Sequence, residues 1–501
     1  MKKNIFLVIL CIISFSFITD AYAAYPEKYS ALSRGYVTTP KNQGVYGTCY
    51  SFAVTSAVET NLIKNKKATK AIDLSEYQLV YGLFKEYGYN IKKAASYGIT
   101  INETHMFMNR DFYFTTESKI NYSLIKNGAT PSATALSSGT VAIKNAYRID
   151  STQNNIKGAI GKYGSVVAST YIADAYFNAS KSTYNLTATN YAKQNHAIVI
   201  VGWDDNYSKN NFKIKPKKNG AWLCKNSWGP KWGINGYFWM SYESNNMYES
   251  VYAYEADISS QYYSKYESRD SYEFSYFENV ALQGNVYTAK NDELLTNVMM
   301  YVEDVNCKYN IYYMKGNIAE YDVEYFRNNA TLLKSGNTTY KGYYTIDLSK
   351  RMLLNKGEEY SIVVEIFNKS GDYGYILRSK IKKASCKSYV VTGDDNNWLD
   401  KNTNNTCALI NVGTKRALEV GFTKLNKNVI YVHAYASALI TNKRYYFKVI
   451  NSKGKTVVNT GYVYSNRLTW IPKIKDTYTI KIYCKDMNTG KLYARAAYYK
   501  Y

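Results

Sequence analysis

Among 501 residues there are only 3 histidines, 7 cysteines and 6 prolines. With His105, His196 and His433 the sole imidazoles, a centre built on many histidines is excluded, and imidazole chemistry must fall to one of the three. The cysteines, at positions 11, 49, 224, 307, 386, 407 and 484, lack the paired spacings of a metal site, and at this density a disulfide framework is not expected. Acidic residues are scarce too: 39 Asp and Glu face 63 Lys and Arg, a formal charge of +24. The positive residues come in ones and twos and form no recognisable nucleic-acid motif, which points away from nucleic acid and towards an anionic cell wall. Long apolar runs are absent but for one.

That run extends from Ile5 to Ile18, after Met1-Lys2-Lys3 and before Ala21-Tyr22-Ala23. A basic start, an apolar stretch short for a bilayer span and a small-x-small site read as a secretory signal peptide over residues 1–23, removed after Ala23. The mature chain, at +23 once Lys2, Lys3 and Asp20 are gone, is expected outside the cell, wall-associated and without a transmembrane anchor.

Against this sparse background one cysteine has telling neighbours. Cys49 lies in Gln43-Gly44-Val45-Tyr46-Gly47-Thr48-Cys49-Tyr50-Ser51-Phe52-Ala53, followed by Ala53/Ala57 and Val54/Val58 at i, i+4. The spacing predicts a helix beginning at or just after Cys49, where unpaired N–H groups and the helix dipole favour an anion. A thiol is a strong nucleophile only as thiolate, which a nearby imidazolium can hold. His196, 147 positions on, opens the apolar run Ala197 to Val201, a strand buried on both faces and closed by Gly202 and Trp203. His105 and His433 have no such setting. Thirty positions later stands Asn226 in Lys225-Asn226-Ser227-Trp228-Gly229, continued by Trp232-Gly233 and Asn235-Gly236-Tyr237-Phe238.

From about residue 34 to 245 these motifs and their order resemble the papain-like (C1) cysteine peptidases. The resemblance implies that Cys49 attacks a peptide carbonyl to give a thioester and that His196 protonates the leaving amine. It implies that Asn226 orients the imidazole, that Trp228 covers that hydrogen bond, and that Gln43 joins the Cys49 N–H in an oxyanion hole. Substrates are then proteins or peptides, and no cofactor is needed. The chain also departs from the pattern. Tyr46 stands where many relatives have a disulfide cysteine, and Leu74-Ser75-Glu76-Tyr77-Gln78-Leu79-Val80 lacks the Cys and Gly-Gly elements that normally follow. In Gly164-Ser165-Val166, Ser165 replaces the usual proline; the likeness places Val166 and Ala197 in a pocket for an apolar substrate side chain. Cys49 comes 25 positions after Ala24, too soon for the prodomain of about a hundred residues found in lysosomal and plant relatives. Cys224 is expected in the core.

After residue 255 the pattern turns to short β-branched and aromatic segments, such as Thr296 to Val302, Tyr309 to Tyr313 and Tyr360 to Ile366, which read as an antiparallel sandwich. Gly284 to Lys290 and Thr345 to Leu348 resemble the lectin-like domain that follows papain-like domains in Gram-positive surface proteins. Calcium there would draw on Asp394, Asp395 and Asn396. Tyr445 to Val449, Arg467 to Pro472 and Asp476 to Tyr483 resemble immunoglobulin-like triple-tyrosine modules. The expected fold is therefore an α+β papain-like domain, with a helical left half and a β-rich right half, followed by all-β sandwich domains. The expected boundaries are 24–255 for the peptidase, 256–425 for the lectin-like domain and 426–501 for the tail. On that division a chain ended near 255 should keep its activity. Two rival functions are a cell-wall thiol amidase and an adhesin with an inactive peptidase body. The Asn-Ser-Trp-Gly string speaks against the first, the complete set Gln43, Cys49, His196 and Asn226 against the second.

Overall fold

The computed structural model describes residues 25–86, 88–91, 98–108, 112–186, 194–244, 247–258, 265–266, 274–275, 280–373, 378–380, 387–393, 395–400, 406–424 and 429–501. The expected signal peptide and Asp394 lie outside these residues. Among the described residues, no helix is long and apolar enough to cross a membrane.

The first region pairs helices α1 (Cys49–Lys64), α2 (Glu76–Glu86) and α3 (Ile101–Met108) with a sheet. That sheet uses β1 (Val141–Asp150), β2 (Val166–Thr170), β3 (His196–Asp204), β4 (Ala221–Lys225), β5 (Tyr237–Ser241) and β6 (Met247–Ile258), with α4 (Gln153–Tyr163) on its other face. Residues Tyr50 to Leu62 of α1 are all buried. The helix is therefore an internal axle rather than an amphipathic cover, and its buried polar residues, among them Ser51, Thr55, Glu59 and Asn61, are hydrogen-bonded.

The second region supplies β7 (Val280–Thr288), β8 (Glu293–Val302), β9 (Lys308–Lys315), β10 (Thr331–Asn337), β11 (Lys341–Leu354), β12 (Glu359–Phe367), β13 (Lys387–Thr392) and β14 (Ile410–Arg416). It does not stand apart as the sequence suggests. The main sheet runs β14-β8-β11-β1-β6-β2-β3-β4-β5 without a break. The joint is the β11-β1 ladder, with Lys341 opposite Arg148 and Tyr344 opposite Asn145.

Alternation then spreads the joint into both cores. Val298 and Met300 of β8 pack in the cluster that holds α4, whereas Met299 and Tyr301 pack in the cluster that holds α1 and α2. The second sheet, β10-β9-β12-β7-β13, closes the sandwich over the α4 face. A chain ended near 255 would lose this ladder and the strands beyond it. The cut falls within β6, exposes the edge of β1 and empties part of both cores.

The third region comprises β15 (Leu418–Lys424), β16 (Ile430–Ala436), β17 (Lys443–Ile450), β18 (Thr456–Val463), β19 (Arg467–Trp470), β20 (Thr477–Asp486) and β21 (Leu492–Lys500). Its sheets, β15-β16-β19 and β18-β17-β20-β21, enclose a hydrophobic cluster of their own that starts at Ala417. Because β15 pairs with β16, the module opens near 417 rather than 426; a sequence reading misses this where β14 passes into β15 with one residue between.

Cys49, Cys224, Cys307 and Cys484 are free, and Cys224 is buried in the core. Cys407 is disulfide-bonded.

Candidate active site

Cys49 is the first residue of α1. The residue before it, Thr48, is the N-cap but makes no capping side-chain bond, because its hydroxyl is paired with the Tyr122 hydroxyl at 2.6 Å. The first-turn amides beside the sulfur are left without a side-chain acceptor, an environment that favours negative charge. Burial pushes the Cys49 thiol up, opposed by backbone hydrogen bonds from Ala197, Tyr50 and Cys49 itself.

Across the cleft, His196 begins β3, and its Nε2 lies 2.8 Å from Asn226 Oδ1. With that nitrogen donating to the amide oxygen, Nδ1 remains for the sulfur side. Burial pushes the His196 imidazole down to about 4, with the Asn226 hydrogen bond acting the other way. Desolvation thus favours the neutral form of each group alone. A proton passing from sulfur to imidazole creates two opposite charges that stabilise one another, and the α1 N-terminus adds to this.

Asn226 follows β4 and is set by its neighbours. Its N–H donates to Gly236 O at 2.9 Å. Gly236 holds φ +88°, and a Cβ there would lie 2.5 Å from Pro40 Cβ, so the Asn-Gly turn needs glycine. The Trp228 ring lies 4.8 Å from the His196 ring at 37°, and Trp232 braces it edge-on at 4.9 Å. Trp228 thus lies against the imidazole that Asn226 holds.

Gln43 is also tied in place. Its N–H donates to Ser227 O at 2.8 Å, Ser227 Oγ donates to its Oε1 at 2.6 Å, and its Nε2 donates to Tyr46 O at 2.7 Å. One amide hydrogen remains for a ligand. Tyr122, which the sequence reading did not single out, also donates to Gln43 O at 2.9 Å, in contact with both the Gln43 loop and Thr48.

Behind the site lies a partly buried ionic cluster that sequence reasoning also missed. Lys41 Nζ reaches Asp73, Glu76 and Glu59 at 2.6, 2.7 and 3.3 Å. Beside it, Lys225 is fully buried, with Nζ 2.8 Å from Ser56 Oγ and 3.1 Å from Thr38 Oγ1. Burial lowers Lys225 to about 8 against the pull of Glu59. Two signals were available: Glu76 ends the Leu-Ser-Glu string, and Lys225 precedes Asn226.

Cys49 and His196 open on one cleft of about 860 Å³. Ala197 lines it, whereas Val166 does not. Val166 faces the α4 core, wholly buried; Ser169, paired with Ala197, is the β2 residue on the cleft. The odd spacing between 166 and 169 puts them on opposite faces of the strand. Arg148, Asp150 and, from the second region, Lys341 also line the cleft; Arg148 is ion-paired to Glu303 of that region.

The calcium expectation has two describable members. Asp395 accepts from Thr392 Oγ1 at 2.7 Å, and Asn396 Oδ1 accepts from Glu324 N at 3.2 Å. The first bond closes a local turn and the second reaches the start of the Val323–Asn329 helix; among the described residues no group of three or more His, Cys, Asp or Glu is arranged to hold a metal.

Comparison with known proteins agrees with this architecture. The papain family cysteine protease pattern matches residues 25–262, and the lectin-like domain pattern matches 263–415. The cysteine protease and lectin-like domains of Cwp84, a surface layer associated protein of Clostridium difficile, align with a TM-score of 0.66 and 27% identity, covering 78% of this chain and 89% of that one. A cathepsin L-like proteinase of Fasciola hepatica is 25% identical over 225 residues, or 45% of this chain and 63% of its own length. Cathepsin K of Mus musculus is 26% identical over 230 residues, or 44% and 61%. The chain thus spans less than two thirds of these curated relatives.

Proposed function

We propose that this chain, whose residues 25–262 are a papain-family cysteine protease domain and whose residues 263–415 are a lectin-like domain, acts as a cysteine endopeptidase at the bacterial cell surface. One observation carries the chemistry: His196 is held by Asn226 at 2.8 Å on the same cleft as a cysteine at a helix N-terminus. Cys49 passes its proton to His196 and attacks the peptide carbonyl. The Cys49 N–H and the spare Gln43 amide hydrogen take the oxyanion, and His196 then protonates the departing amine. Water, deprotonated by His196, hydrolyses the thioester and frees Cys49.

The place of action rests on the leader-like start, on the positive charge, and on the likeness to a surface layer associated protein. The β regions are read as contacts to substrate or to anionic wall polymers. The test measures cleavage of a protein substrate and of purified peptidoglycan. Cys49→Ala and His196→Ala should abolish proteolysis, Asn226→Ala should leave a measurable fraction, and Gln43→Ala should lose about 100- to 1,000-fold in kcat. Wild-type rates in a protease-free Cys49→Ala preparation would falsify the assignment. Release of wall peptides with no proteolysis would favour an amidase.

A further inference from the structure

Residues 426–501 hold fourteen Lys and Arg against Asp476 and Asp486, a net +12, half of the +24 carried by the whole chain. Part of this charge is arranged in rows. Across the β17-β20 ladder Arg444 stands opposite Lys485, Tyr446 opposite Tyr483, and Lys448 opposite Lys481, while Tyr445, Phe447, Ile480 and Ile482 face the module's core. The outer face is thus a tyrosine row between two cation rows. Like charges directly opposite each other destabilise a sheet. No carboxylate relieves them: the module's ion pairs, among the described residues, use Arg416, Lys491 and Arg495 instead.

We propose that this outer face binds a phosphate-bearing wall polysaccharide. This deepens the surface-binding part of the reading above and does not depend on the peptidase chemistry. Arg444 and Lys448 lie four residues apart on one strand, about 13 Å at the usual rise, so a single small anion cannot satisfy both rows and a polymer with repeated charges can. The tyrosines select the kind of polymer. Tyr446 and Tyr483 stack on one another at 5.3 Å and 22°, and Lys485 sits over the Tyr462 ring at 5.9 Å. Each ring of the pair gives one face to its neighbour, and Tyr462 gives one to Lys485, which leaves less aromatic face on which nucleic-acid bases could stack. Ring edges and phenol hydroxyls remain for sugar hydroxyls.

The experiment uses the mature full-length protein, immobilised glycosylated poly(glycerol phosphate), neutral dextran and single-stranded DNA. Lys448→Ala/Lys481→Ala should weaken retention on the poly(glycerol phosphate) by about tenfold, and adding Arg444→Ala/Lys485→Ala should remove it. Replacing the exposed loop residues Lys453, Lys455, Lys473 and Lys475 by alanine should change retention by no more than about twofold. Turnover of a small peptide, measured on the same samples, reports the peptidase reading separately. An unchanged or higher Tm in the four-residue face variant supports the proposal, because repulsion has been relieved. The proposal is overturned by any of four results: no wild-type retention on the polymer, equal losses from the loop and face sets, tighter DNA binding through the same four residues, or a lowered Tm accompanying the lost binding.

Discussion

Between the peptidase and the lectin-like domain the chain is joined by a main-chain ladder and two shared hydrophobic cores. Between that body and the C-terminal module the joint is far thinner: Lys491 meets Asp292 at 2.8 Å and also Asn355, Arg416 meets Glu419 at 3.2 Å, and Leu353 packs on the module's own cluster. Both appended regions are β-rich, yet one is built into the papain-like body and the other is attached to it. A shared sheet makes two domains one cooperative unit, because separation breaks hydrogen bonds and bares apolar surface at once. A few side chains at the surface couple regions weakly.

The largest expected effect comes from cutting at each joint. A chain ended after Ile258 should be insoluble or lack a cooperative melting transition, and should not turn over peptide; one ended after Arg416 should keep full-length turnover within about twofold. Soluble, active protein from the shorter chain would collapse the contrast.

Matched core substitutions sharpen it. Tyr301→Ala opens a cavity at the lectin seam and Trp470→Ala opens one in the module, each costing about 3 to 5 kcal/mol locally. Calorimetry should show the first lowering the melting transition of the peptidase body, and the second lowering only a separate module transition while turnover holds.

Acid should probe the same seam. His105 of α3 packs against Tyr252, Tyr254 and Tyr301, and among the described residues neither ring nitrogen has a hydrogen-bond partner. Burial lowers it to about 3, and His196 to about 4. Unfolding returns both rings to the ordinary value near 6.5, so the unfolded chain takes up protons that the folded one refuses. Their contribution to stability is complete above about 6.5 and declines as pH falls towards 4 and then 3. His105→Phe should flatten that decline in urea melts of the body. An unchanged slope would remove His105 from the account.

The smallest effect belongs to Lys491→Ala at the outer joint. Its pair is partly exposed, so the module transition should shift by no more than about 1 kcal/mol.

Much of the site was legible because its signals are local. Cys49 needed only a glycine-bearing approach and a helix-forming run, and Asn226 lay in a string whose glycines serve a tight turn. The boundaries after 255 were less legible. A strand of alternating residues, such as Leu295 to Val302, looks the same whether it pairs within its own domain or with a neighbour, because the pattern records burial and not the identity of the partner.

By itself, the sequence determined the residue types of the candidate site, the helix on which Cys49 sits, and the change from mixed to β-rich structure near residue 255, all of which depend on short-range periodicity and motif chemistry. Only the tertiary structure decided that Ser169 rather than Val166 reaches the cleft, that Lys41 gathers three carboxylates from distant positions, and that the lectin-like domain shares the peptidase's sheet while the last module keeps its own core. These depend on which faces meet across long loops, a choice made by the burial of whole surfaces and invisible in any one segment.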